Sequence, residues 1–124
     1  MYLVAAEGTS WPIDLRTAES HFRQRWPAAL VGLHTSAVTS HPYVTFAVVI
    51  GATQLHGTYT EHPHCLSLSH GGPQDWAETL VWFLTLLPRN VPVMAMADGD
   101  FRLVPVPLGA SVQDIAELYE RLRA

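Results

Sequence analysis

The chain has 124 residues, 48% of them hydrophobic and 15% charged, a size and mix that bury one core and lie far from the composition of disordered chains. Its basic residues are all arginine and are balanced by acids such as Asp14, Glu19, Asp100, Glu117 and Glu120, leaving a formal net charge of -4. No cationic stripe is available to displace counterions from a phosphate backbone, so nucleic acid is not an expected partner.

The single cysteine, Cys65, rules out an internal disulfide, and the apolar start from Met1 to Ala6 is too short for a signal peptide. No segment approaches the ~18 apolar residues that cross a bilayer. The expected setting is the cytoplasm, without a membrane partner.

With neither repeat nor linker, residues 1–124 read as one domain. Residues 1–6 form a short strand, and Gly8-Thr9-Ser10-Trp11-Pro12 supplies turn chemistry before a helix near residues 13–25. Leu15, Ala18, Phe22 and Trp26 recur at helical spacing there, and Pro27 ends the run. A brief apolar strand follows over 29–34.

Residues 43–50, rich in β-branched and aromatic side chains, form a strand. Gly51-Ala52 turns the chain into 53–60, where Leu55 and Tyr59 alternate with polar residues. A third strand over 65–70 alternates Leu66 and Leu68 with Ser67 and Ser69, completing an antiparallel meander with one wet face.

Gly71-Gly72-Pro73 breaks the sheet and opens a helix over 73–87, with a core stripe of Trp76, Leu80, Phe83, Leu84 and Leu87. Val81, Trp82 and Leu86 leave that helix little polar face. Residues 91–97 and 101–107 are two further strands joined by a hairpin turn at Asp98-Gly99-Asp100, and Pro92, Pro105 and Pro107 push them toward a sheet edge. Ser111 and Asp114 form a capping box at the head of a last helix over 111–123. The predicted fold class is α+β: a largely antiparallel sheet of five or more strands with about three helices packed on it.

The most conspicuous polar cluster is His56, His62, His64, Cys65 and His70, with Glu61 among them. Imidazole and thiolate are the ligands that late transition metals prefer. On a strand His62 and His64 would share a face, but Pro63 interrupts them and the spacing matches neither a zinc knuckle nor H-E-x-x-H. The sequence therefore predicts no cofactor, and a metal site or small enzyme built on His62, His64, Cys65 and His70 is the rival reading.

Ser69-His70-Gly71-Gly72 has the composition of an oxyanion-hole turn, yet no G-x-S-x-G elbow accompanies it, so a strand-to-helix turn explains the glycines. Cys65 in an alternating strand reads as an inert thiol rather than a nucleophile. Asp98 and Asp100 read as turn residues rather than an acid–base pair. What remains is a surplus of tryptophan: either the 73–87 helix is sandwiched centrally and wholly buried, or Trp82, Trp11 and Trp26 are the candidates for contact with another protein, since tryptophan outside a core is enriched at binding hot spots.

The run Trp82-Phe83-Leu84-Thr85-Leu86-Leu87-Pro88, then Val93-Met94-Ala95-Met96-Ala97-Asp98, then Leu108 to Ile115, resembles the ending of small bacterial immunity proteins of polymorphic toxin systems. There a W-F helix ending in proline precedes a hairpin and a capped last helix. The resemblance covers about 40 residues and implies a non-catalytic cytosolic protein that neutralises a toxin by binding it; it specifies no toxin-binding residues. The expected partner is another protein, a basic one being suited to the acidic balance. A homodimer is also expected, because an almost wholly apolar helix and proline-bearing edge strands leave surface for a second copy to cover.

Overall fold

Side-chain alternation decides the sheet. In β3 (Pro42–Ile50) Val44, Phe46 and Val48 are buried while Tyr43, Thr45 and Ala47 are half-buried on the other face, and in β4 (Thr53–Glu61) Leu55, Gly57 and Tyr59 alternate in the same way with His56, Thr58 and Thr60. Successive residues of a strand point to opposite faces, so one face of this pair collects the apolar set. The two strands register with Val44 opposite Tyr59 and Phe46 opposite Gly57.

The computed structural model describes residues 1–97, 99 and 102–123. Among them the chain runs β1 (Tyr2–Ala5), α1 (Leu15–Arg25), β2 (Leu30–Thr35), β3, β4, β5 (His64–Ser69), α2 (Pro73–Leu84), β6 (Val93–Met96), β7 (Val104–Pro105) and α3 (Val112–Arg123). The seven strands form one sheet in the order β2-β3-β4-β5-β1-β6-β7, and every neighbouring pair is antiparallel. This is an α+β fold. The first strand is not at an edge: it slots between β5 and β6, closing the meander of β2 to β5 onto the later half of the chain.

All three helices lie on the same face of the sheet. The Phe22 ring of α1 sits 4.5 Å from that of Phe46, and Phe83 of α2 sits 5.8 Å from Tyr59. Ile115, Leu118, Tyr119 and Leu122 of α3 join the same buried cluster, packing beside α2. Fully burying side chains of this size is worth ~1.5–3 kcal/mol each, the main term that holds helices to sheet.

Local chemistry sets the helix ends. Asp14 is the N-cap of α1, its carboxylate accepting from Thr17 N at 2.7 Å, and Glu61 at the end of β4 accepts from Leu15 N at 2.7 Å. Those bonds satisfy first-turn donors that have no partner within the helix and hold Asp14 below the usual carboxylate range, chiefly through Thr17. At α3 the expected capping box is present, with Ser111 N donating to Asp114 at 2.9 Å and Asp114 N donating to Ser111 Oγ at 3.1 Å.

Three expectations need amendment. In the stripe expected for α2, Trp76 and Leu84 are half-buried and pack against the core rather than within it, the Trp76 indole N–H donating to the His70 carbonyl, and Ala77 joins Leu80, Phe83 and Leu87 as the buried side. Of the strand expected over 101–107, Phe101 lies outside the described residues, and over 102–107 the strand is confined to Val104–Pro105, because a proline cannot donate to a ladder. Of the turn expected at 98–100, Asp98 and Asp100 lie outside the described residues, whereas Gly99 has the positive φ of 74° that such turns need.

Candidate functional site

The sheet separates the histidine cluster. Residues 62 and 63 form the β4–β5 turn rather than strand, and the His62 ring lies 5.3 Å from His41. His64 shares the helix-covered face with Leu66, its ring 6.1 Å from Trp11 and 6.3 Å from Tyr59. Cys65, one residue on, points to the opposite face. His70 lies past the end of β5 with its ring 4.9 Å from His56.

The members of the rival ligand set, His62, His64, Cys65 and His70, are therefore divided between a turn, two faces and a strand end. Among the described residues no group of three or more His, Cys, Asp or Glu side chains is placed to hold a metal ion. Burial lowers the pKa of His64, against the opposing charge of Glu61, and lifts the Cys65 thiol to about 11. A thiol held protonated is a poor nucleophile.

Ser69-His70-Gly71-Gly72 is the β5–α2 connection. His70 and Gly71 both have positive φ, and Asp75 accepts from Gly72 N at 3.3 Å and from Thr53 Oγ1 at 3.1 Å, tying the head of α2 to the start of β4. Those contacts describe a connection, not a cavity. A cleft between α2 and α3, lined by Met1, Trp76, Ala77, Ile115, Ala116, Tyr119 and Glu120, holds about 60 Å³. Small-molecule sites are typically ~300–1,000 Å³, so this cleft is too small for a substrate of ordinary size. Asp98 and Asp100, weighed as paired carboxylates, lie outside the described residues.

The tryptophans divide by role. Trp11 is 3% exposed, its ring 5.5 Å from Phe83 and 6.3 Å from Tyr59, so it is a core residue and not a contact for a partner. A loop residue is drawn inside here because the chain between β1 and α1 must cross the apolar face. Trp26 and Trp82 are half-buried and meet each other with centroids 5.5 Å apart. Beneath them Phe46 stacks on Trp26 at 5.1 Å, and Phe22 lies 6.0 Å from Trp82.

Over this aromatic step stands Arg25, its guanidinium carbon 4.9 Å from the Trp82 centroid and 5.5 Å from that of Trp26. Both distances fall within the ~6 Å reach of a cation–π contact. On the edge strand β2 alternation puts Val31, opposite Phe46, and Leu33, 45% exposed, on this same face, and Leu30, 78% exposed, on the other. Arg23 donates to the outward Val31 carbonyl at 2.8 Å while bridging Glu19 at 3.4 Å. Sequence reasoning named the two tryptophans but missed Arg25 and Leu33; the Arg25-Trp26 doublet at a helix end was the available signal.

No family model, curated protein or solved structure matches the chain. Among the described residues no helix is long and apolar enough to cross a membrane.

Proposed function

We propose that this chain is a non-catalytic protein-binding module of the bacterial cytoplasm that works as an immunity-like protein, neutralising a partner toxin by covering it. The observation that carries the reading is the half-buried Trp26–Trp82 pair capped by Arg25, with exposed Leu33 on the same face of the sheet. Tryptophan and arginine dominate binding hot spots because each desolvates a large area while retaining a polar handle, and Leu33 supplies apolar rim. The net charge of -4 favours a basic partner by long-range steering, while the patch itself supplies the contact.

The test is titration calorimetry against the product of the adjacent gene, since immunity and toxin functions are useful only when made together. Binding that weakens at least ~30-fold in Trp82→Ala and in Arg25→Ala, with unchanged circular dichroism, supports the reading, hot-spot truncations costing ~2 kcal/mol or more. Binding that ignores both substitutions overturns the assignment of the patch. A turnover activity abolished by Cys65→Ala or His64→Ala replaces the binding module with an enzyme.

A further inference from the structure

The sheet has a second face that none of the three helices covers. By alternation Thr45, Thr58 and Ser67 stand side by side at its centre, in register across β3, β4 and β5, and toward β6 it turns apolar through Val4, Met94 and Met96. The last three are half-buried but do not pack against the core cluster, which lies wholly on the helix side. No aspartate, glutamate or arginine of the seven strands points to this face, although 15% of the chain is charged. A solvated antiparallel face ordinarily carries such residues, so their exclusion calls for a cause.

We propose that this face is the seat of a homodimer, in which two copies pack sheet on sheet about a twofold axis. Three properties select a second copy over another occupant. First, the strands bring no carboxylate or guanidinium to this face, which carries His34, His56 and Cys65 instead, in a chain whose net charge is -4, so apposing two copies here buries no pair of like-charged carboxylates, and a basic partner would find no counter-charge to read. Second, the centre is hydroxyl-lined, and a hydroxyl both donates and accepts, so Thr58 and Ser67 of one copy satisfy those of the other without a distinct complementary surface.

Third, the area suffices. Seven strands about 4.8 Å apart span roughly 30 Å, and the longest strands reach about 30 Å while the outer ones are shorter, giving a footprint on the order of 600 Å². Standard stable interfaces bury about 800 Å² of accessible surface per partner, and pleated side chains expose more than their planar footprint. Aligned packing at about 10 Å sheet separation then covers Met94, Met96 and Val4. The Trp26–Trp82–Arg25 patch lies on the helix side, so the dimer presents two such patches outward.

Sedimentation velocity of the full chain from ~1 to 100 µM, with Thr58→Arg, Ser67→Glu and the edge-strand variant Leu33→Arg run beside it, tests the arrangement. The expected result is a species of twice 13.7 kDa that Thr58→Arg and Ser67→Glu each dissociate with at least ~100-fold weaker association, because an unpaired charge is forced into the dry interface. Leu33→Arg leaves it intact. Circular dichroism and urea midpoints of the variants establish that the monomer is folded. A wild-type chain that is monomeric at 100 µM overturns the proposal, as does a dimer that survives both face variants or dissociates only in Leu33→Arg, which places the contact at the β2 edge.

Discussion

The tip of the Phe46 ring reaches over Gly57, its register partner on the next strand, so closely that a Cβ on Gly57 would stand 2.1 Å from Phe46 Cζ. The glycine is there for space rather than for backbone freedom: the aromatic ring of β3 fills the position where β4 would otherwise place a side chain. Gly57→Ala is expected to lower stability by about 1–3 kcal/mol through overpacking, measured by urea unfolding. Phe46→Leu should remove most of that penalty in the double variant, and strict additivity of the two changes would sink this account.

Tyr59 lies at the bottom of the same core and donates its hydroxyl to the Ile13 carbonyl at 2.7 Å. Tyr59→Phe leaves that carbonyl unpaired and is expected to cost about 1–3 kcal/mol near neutral pH. Burial first, then the charge of Glu61, raises the Tyr59 pKa well above its usual value. Its folded pKa being raised, the stabilisation is fully present below the unfolded value of about 10 and is lost as pH rises beyond it. The stability gap between wild type and Tyr59→Phe should therefore shrink above about pH 10; a gap constant through pH 11 would contradict the linkage.

His64 behaves in the opposite sense. Burial lowers its pKa despite Glu61, so the neutral ring is favoured in the fold, and the resulting stability is present above the unfolded value of about 6.5 and is lost as pH falls through the depressed folded value. His64→Gln should flatten the decline in urea midpoint below about pH 6.5 relative to wild type. An unchanged acid limb would exclude His64 as a contributor.

Cys65 has a thiol pKa pushed to about 11 by burial, the N-terminal amine offsetting a little of the shift. At about pH 8 the thiolate fraction is then roughly 100-fold below that of a free cysteine. Reaction with a chromogenic disulfide should be at least ~50-fold slower in the folded chain than in denaturant at the same pH. Equal rates would show an exposed, ordinary thiol.

The amino-acid sequence by itself determined the elements. Alternation over 43–50 and 53–60, the Gly51 turn and the Ser111–Asp114 box are local signals, each acting within a few residues, and they place β3, β4 and the head of α3, whereas the helix expected to run over 73–87 up to Pro88 ends at Leu84, capped by Thr85. Trp76 sits at the margin of its helical stripe, packed against the core while its indole donates to the carbonyl of His70 in the connection before α2.

Only the tertiary structure decided which chemistry-bearing residues meet. His62, His64, Cys65 and His70 are neighbours in sequence, yet a turn and a period of two send them to different places, whereas Arg25 and Trp82, far apart along the chain, converge because α1 and α2 pack on one face. The placement of β1 between β5 and β6 is likewise beyond any local pattern. It follows from pairing across more than 60 residues, where the free energy comes from burying Leu3 and Leu66 side by side in a core that no segment can form alone.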